Sequence, residues 1–150
     1  MLPAKLFAGL ALAFSICAGF AKLFSPPSMD IGVRGEYFSF GPFLVPLFCA
    51  VTCANFAVLY YAAARIFQAR WNRTLSTLHF SLSVCFGVSG TLFYLMSTRV
   101  ENHPNGEAGL LWLFALLLVG ILSFVASYVV FGINLILVSV QVVRARFATR

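Results

Sequence analysis

The sequence predicts an all-α integral membrane protein with four transmembrane helices and with both termini in the cytoplasm. Of its 150 residues, 61% are hydrophobic and only 9% are charged, whereas about a quarter of the residues in a soluble domain are charged. Four apolar stretches reach the roughly 20 residues that a helix needs to cross a bilayer. The charged side chains lie at or near the ends of these stretches, where the chain re-enters water.

The first two spans are predicted at about residues 6–24 and 42–67. Pro26 and Pro27 follow the first stretch closely and end its helix, because proline lacks the N–H that a helix interior requires. Pro46 falls in the first turns of the second stretch, where a missing N–H is tolerated. We therefore expect a helix, a short connection and a second helix.

The third and fourth spans are predicted at about residues 78–97 and 109–140, which completes a single domain over residues 1–150. The fourth stretch carries no charge until Arg144. At 1.5 Å per residue it would extend about 50 Å, against a hydrocarbon core of about 30 Å. It contains no turn signal, so we expect one helix that continues past Gly132 and projects beyond the bilayer.

Charge on the connections predicts the orientation. The N-terminus, the connection after the second span and the C-terminus hold seven basic residues and no acidic residue, namely Lys5, Arg65, Arg70, Arg73, Arg144, Arg146 and Arg150. The other two connections hold all four acidic residues, Asp30, Glu36, Glu101 and Glu107. The positive-inside rule places the first group in the cytoplasm. An alternative in which residues 1–21 are a cleaved signal peptide leaves the orientation of the remainder unchanged.

The same distribution indicates the partners. Basic residues at span ends are explained by topology and anionic headgroups, so the lipid bilayer is the expected partner and nucleic acid is not. The expected location is a cell membrane, the bacterial inner membrane in the first instance. Small residues four apart predict close helix contacts, within this chain, with other transmembrane helices or in a homo-oligomer. They are Ser15 and Gly19, then Ser83, Gly87 and Thr91, then Ser123 and Ser127.

Few side chains inside the spans can carry chemistry. Cys49 and Cys53 share a helix face, but no second Cys or His pair completes a metal site, so no metal is predicted. Asn55 lies near the middle of the second span, where an amide usually bonds across helices. No Asp or Glu occurs in any span, which argues against a proton-coupled pump or transporter.

Two segments resemble the C-terminal part of subunit I of the haem-copper oxidases, the cytochrome c oxidase family. The first runs from Met29 to Leu44 and includes Asp30, Tyr37 and Phe38. The second, Asn72-Arg73-Thr74-Leu75-Ser76-Thr77-Leu78-His79-Phe80, resembles a phrase that opens a helix of the family. Its shared residues include Asn72, Thr74, Leu75, His79 and Phe80. Phe131-Gly132-Ile133-Asn134-Leu135 is similar to part of the family's last helix.

The resemblance implies the last four helices of a twelve-helix subunit. In the family the first phrase lies on the outer side of the membrane and the second in the cytoplasm, which agrees with the orientation that charge predicts here. The family's function would be oxygen reduction at haem and copper. This chain departs from the family at the residues that matter for that activity.

The departures remove the family's ligands. Pro42 and Leu44 stand where the family has the two histidines that ligate its haem irons, and Arg34 and Gly35 stand where it has a His-Asp pair. We therefore expect no haem and no catalysis, and interpret the chain as an accessory or assembly partner of a respiratory oxidase. Two alternatives stay open: a fragment subunit completed by another chain that brings haem, and an unrelated four-helix membrane protein.

His79 is the one candidate for contact with a cofactor, and haem is the cofactor if the non-catalytic interpretation fails. The only other histidine, His103, is predicted on the opposite side of the bilayer, so the two cannot ligate one iron. The plainer prediction for His79 is an interfacial ring that bonds a backbone carbonyl. Asn72 and Thr74 are predicted to start the third helix, with Thr74 as its N-cap.

Overall fold

The computed structural model describes residues 2–24, 29–33, 36–41, 43–67, 71–100 and 106–148. Four helices dominate it, and a short β-hairpin joins the first two. In chain order the elements are α1 (Leu2–Phe24), β1 (Met29–Val33), β2 (Glu36–Phe40), α2 (Leu44–Phe67), α3 (Arg73–Val100) and α4 (Gly106–Ala148).

All four helices are long and apolar enough to cross a membrane, as the sequence predicts. The apolar spans within them are Leu2–Phe24, Leu44–Ile66, Arg73–Tyr94 and Leu111–Arg144. Three helices begin earlier than the predicted spans: α1 at Leu2 instead of residue 6, α3 at Arg73 instead of residue 78, and α4 at Gly106 instead of residue 109. Helix α4 is continuous over 43 residues and passes through Gly132 without a break, as expected from its missing turn signal.

The hairpin is an addition to the all-α prediction. Strands β1 and β2 pair antiparallel in a register that runs from Met29 opposite Phe40 to Val33 opposite Glu36. Only two residues separate the strands in the sequence, which is the shortest common hairpin connection. The aromatic run of β2 suits a strand. This local pairing was not anticipated, because the stretch is too short to show a clear period.

The helices associate as two pairs, α1 with α2 and α3 with α4. The small-residue faces predicted on α3 and α4 meet: the hydroxyls of Ser83 and Ser127 are 2.9 Å apart, and the Ser123 hydroxyl donates to the sulfur of Cys85 at 3.3 Å. Close approach of the two backbones follows from these short side chains.

The predicted contact through Ser15 and Gly19 is not made within the described chain. Both residues are exposed on α1, and the Ser15 hydroxyl donates to the carbonyl of Ala11 on its own helix. A buried cluster joins the two pairs instead. It is built around Phe7 of α1 and around Cys53, Phe56 and Tyr60 of α2.

Candidate functional site

His79 lies on the face of α3 that points into the bundle. Ser76, His79 and Ser83 follow one another at intervals of three and four residues, so they share one side of the helix. All three are buried, and His79 has no exposed surface. Among the described residues, the ring of His79 does not make the predicted hydrogen bond to a backbone carbonyl. Its Nδ1 is 2.9 Å from the hydroxyl of Tyr60, a side chain on the neighbouring helix α2.

Aromatic rings enclose the rest of the imidazole. The ring centroid of Phe56 lies 4.3 Å from that of His79 in an edge-to-face arrangement, and Phe7 lies at 4.6 Å. Phe131 of α4 adds a third contact at 5.4 Å. All four helices thus supply a residue to this cluster. We call it the His79 cluster, defined by Phe7, Phe56, Tyr60, His79 and Phe131.

The second ring nitrogen of His79, Nε2, is buried and has no hydrogen-bond partner among the described residues. A neutral imidazole carries one proton, so either tautomer satisfies only the nitrogen that faces Tyr60. Burial among rings disfavours a charged imidazolium, because a buried charge needs a partner of opposite sign or several hydrogen bonds. No acidic residue belongs to any of the four apolar spans. The arrangement therefore suits a neutral, structural histidine.

A small amide network lies next to the cluster and ties α4 to the start of α3. The Asn134 side chain accepts a hydrogen bond from the backbone N–H of Asn72 at 3.3 Å and donates to the Ser76 hydroxyl at 3.0 Å. Asn134 has no exposed surface. This amide is therefore enclosed in the bundle and hydrogen-bonded there.

Asn72, not Thr74, caps α3. The side-chain oxygen of Asn72 accepts a hydrogen bond from the N–H of Leu75 at 3.1 Å, which is the N-cap pattern. Thr74 is exposed within the first helical turn. The observed cap lies two residues before the predicted one, because Arg73 and Thr74 are already part of the helix.

The structure brings together part of the set that carries the resemblance. Asn72 and His79 meet the Phe131–Leu135 stretch through the Asn72–Asn134 bond and the His79–Phe131 ring contact, and Phe80 contacts the ring of Phe7. Leu75 is half-buried beside them. Three others, Asp30, Tyr37 and Phe38, lie on the hairpin that precedes α2. Tyr60 of the His79 cluster lies toward the opposite end of α2, so these three residues are not part of the cluster.

Tyr60, Phe56 and Phe7 were not identified from the sequence. Phe56 and Tyr60 are four residues apart and so share a face, but 17 phenylalanines are scattered through the chain. Such a background hides a specific aromatic pair. A polar tyrosine in an apolar helix was the available signal for Tyr60.

A haem iron at His79 would have to displace a neighbouring side chain. Nδ1 lies 2.9 Å from the Tyr60 hydroxyl, and Nε2 is buried without a hydrogen-bond partner among the described residues. Leu44, which stands at one of the family's ligand positions, is the first residue of α2, and its side chain offers no donor atom. Pro42 and His103 lie outside the described residues.

Across the part of the chain that the structure describes, no group of three or more His, Cys, Asp or Glu side chains could hold a metal ion. Cys49 and Cys53 are both buried on α2 as free thiols. Their positions agree with the prediction that they pack as small hydrophobic residues.

A second feature is a groove between α2 and α4, with α3 as its floor. An apolar cavity of about 320 Å³ lies in it. We call this groove the α2/α4 seam and define it by the residues that line the cavity, which are Leu44, Val45, Phe48, Phe86, Gly90, Phe93, Leu116, Leu117, Gly120 and Ile121. Helices α2 and α4 make few contacts with each other, and these include the ring contacts of Phe48 with Phe124 and of Phe56 with Tyr128.

Asn55 departs from its predicted role. We expected its amide to bond across helices inside the bundle, but the residue is exposed on α2, and no hydrogen bond from its side chain occurs within the described ranges.

Comparisons with protein-family models, with curated proteins and with solved structures found no match to this chain.

Proposed function

We propose that this integral membrane protein is a non-catalytic accessory or assembly partner of a respiratory oxidase, located in a bacterial inner membrane. The observation that carries the proposal is that the segments resembling oxidase subunit I supply hydrogen bonds between helices. Asn72, His79 and Asn134 all serve to join α3 to its neighbours. In this proposal, the residues that resemble subunit I hold the helices together and do not bind a cofactor.

The chemistry of the His79 cluster supports the non-catalytic half of this proposal. A haem ligand needs a free nitrogen lone pair directed at an open space of porphyrin size. Neither ring nitrogen of His79 meets both needs, because Nδ1 is bonded to Tyr60 and Nε2 is buried in a ring that contacts Phe7, Phe56 and Phe131.

The outward faces of the bundle support the accessory half. Helices α1 and α4 expose many large apolar side chains, and the α2/α4 seam leaves a cavity unfilled. Such surfaces pack well against lipid and equally well against transmembrane helices of a larger assembly.

The test uses the full-length protein with an affinity tag, expressed in its own host and purified in a mild detergent. We expect stoichiometric oxidase subunits to be identified by mass spectrometry in the purified material. After a second purification step that strips these subunits, we expect no Soret absorbance in oxidised or dithionite-reduced spectra. Deletion of the gene should lower the amount of assembled oxidase, measured by reduced-minus-oxidised spectra of membranes.

Two results would contradict the proposal. A Soret band at near one haem per stripped chain, lost in His79→Ala, would favour the fragment-subunit alternative, in which the chain shares a catalytic centre. The absence of any oxidase subunit, together with unchanged oxidase in the deletion strain, would favour a membrane protein unrelated to respiration.

A further inference from the structure

Two polar side chains are exposed well inside the apolar spans of α2 and α4. Asn55 lies equally far from both ends of the Leu44–Ile66 span, and Tyr128 lies within one residue of the middle of the Leu111–Arg144 span. Asn55 is exposed, and Tyr128 is 47% exposed. Neither side chain makes a hydrogen bond within the described part of the chain.

The two side chains lie at the same depth and flank the same seam. Phe56, which directly follows Asn55, contacts the ring of Tyr128 with centroids 5.0 Å apart. On α2, Phe48 and Asn55 are seven residues apart and so lie on the same edge. Phe48 contacts the ring of Phe124, which stacks beside Tyr128 on α4. Both polar groups therefore lie beside the α2/α4 seam, next to the residues that line its cavity.

Lipid cannot satisfy these groups. The hydrocarbon core offers no donor or acceptor, so an unpaired polar group there costs several kcal/mol. Asn55 lies at the middle of a 23-residue span, about 15 Å from either interface. The ring contact between Phe56 and Tyr128 puts Tyr128 at about the same depth, too far from a membrane surface for its hydroxyl to reach water. Asn is too short to reach any polar layer. A protein partner is the remaining source of hydrogen bonds.

We propose that the α2/α4 seam is the interface of a homodimer in which Asn55 of each copy pairs with Tyr128 of the other. All copies insert in the same orientation, so a two-fold axis along the membrane normal keeps every residue at its own depth. In a two-fold interface, if residue i meets residue j, then j also meets i. Asn55 and Tyr128 satisfy this condition because they share one depth. The phenol donates and the amide oxygen accepts, which makes the pair complementary.

The apolar cavity continues this interface above the polar pair. Phe48, Leu117 and Ile121 line it and are exposed or half-buried in the isolated chain. Helix interfaces approach the packing density of protein interiors, so apolar side chains of the second copy fill this space in the dimer. The proposal stands independently of any role in respiration, because it rests only on the two polar groups and the shape of the seam.

The test measures dimerisation of the full chain in liposomes by fluorescence energy transfer over a series of protein-to-lipid ratios. Tyr128→Phe removes only a hydroxyl, and Asn55→Leu replaces the amide by an apolar group of similar size. We expect each to weaken the dimer roughly 3- to 30-fold, the range that hydrogen bonds between membrane helices span. The double variant should be no weaker than the worse single variant, because both remove the same bonds.

Tyr61→Phe is the matched control. Tyr61 is also an exposed tyrosine, at 48%, but its hydroxyl accepts a hydrogen bond from Arg65 of its own helix at 3.2 Å. Its removal should leave dimerisation unchanged. A photocrosslinking residue, p-benzoylphenylalanine, at position 128 should give a dimer whose adduct maps to α2 near Asn55. The same residue in place of Ile133, about 140° around the helix, should not.

The proposal fails if the wild-type chain is monomeric at every ratio. It also fails if a dimer forms but is insensitive to both Tyr128→Phe and Asn55→Leu, or if position 128 crosslinks only to lipid or to a different protein. Equal weakening by Tyr61→Phe would likewise overturn it, since the effect would then not belong to the seam.

Discussion

At the scale of single residues, this bundle is joined by a few buried polar atoms. Asn134 of α4 binds the first turn of α3 twice, and Tyr60 of α2 binds His79 of α3. Hydrophobic burial distinguishes poorly between one helix arrangement and another in a membrane, because lipid is as apolar as the helix faces. Directed hydrogen bonds at defined depths therefore select this arrangement.

Replacement of Asn134 by leucine should destabilise the bundle by about 1–2 kcal/mol, because the change leaves the Ser76 hydroxyl and the Asn72 N–H without their partner. The measurement is unfolding in mixed micelles with increasing sodium dodecyl sulfate, followed by the fluorescence of Trp71. That indole packs 4.5 Å from Tyr60 and so reports on the cluster.

Ser139→Ala is the control for this prediction. The Ser139 hydroxyl donates only to the carbonyl of Leu135 on its own helix, so its loss should change stability by a few tenths of a kcal/mol. Equal stability of Asn134→Leu and the wild-type protein would show that the amide network does not hold α3 and α4 together.

At the scale of the helices, one glycine sets how closely α1 approaches α3. A methyl group added at Gly87 would lie 2.1 Å from the ζ carbon of Phe14, well inside van der Waals contact. Phe14 therefore packs directly on the backbone of α3. The ring of Phe14 occupies the space that a side chain at position 87 would need, so only glycine fits there.

Gly87→Ala should destabilise the protein by about 1–2 kcal/mol, since the gain in helix propensity is outweighed by the displaced phenyl ring. Adding Phe14→Leu should recover part of the loss, because the smaller side chain makes room for the methyl group. The same micelle titration measures both.

Gly132→Ala provides the comparison within α4. Nothing lies within 4 Å of an added methyl group there, so alanine should leave stability unchanged or raise it by up to about 1 kcal/mol through propensity. If Gly87→Ala were as stable as Gly132→Ala, the α1–α3 contact would not be tight.

At the scale of the whole molecule, the orientation in the membrane is a prediction from charge. An even number of spans would put both ends on one side, and the seven basic residues of the termini and the 65–73 connection predict that this side is the cytoplasm. The same rule predicts that the hairpin between α1 and α2 lies on the opposite side.

A reporter that is active only outside the cytoplasm should be inactive when fused after Arg150 and active when inserted at residues 100–106, because the positive-inside rule retains the Arg-rich ends. A reporter active only in the cytoplasm provides the reciprocal measurement. An extracytoplasmic C-terminus would contradict the predicted orientation.

Removal of charged side chains provides the control for the predicted orientation. Replacing Arg144 and Arg146 by Asn should weaken retention of the C-terminus, whereas Glu107→Gln should change nothing, since acidic residues contribute little to the rule.

The sequence alone determined the number of helices, their approximate limits and the continuity of α4. These properties depend on the length of apolar runs and on where prolines and charges interrupt them, and both are local. It also identified the small-residue faces of α3 and α4, since Ser83, Ser123 and Ser127 repeat at helical spacing and do meet across the two helices.

Only the tertiary structure decided which faces are inside. The His79 ring was predicted to bond a backbone carbonyl and instead bonds the Tyr60 hydroxyl inside the bundle. Asn55 was predicted to bond across helices and is exposed. The reason is physical. In a membrane helix the inward and outward faces are both apolar, so composition carries no record of rotation about the helix axis. That rotation is set by pairwise contacts between helices that are distant in the sequence.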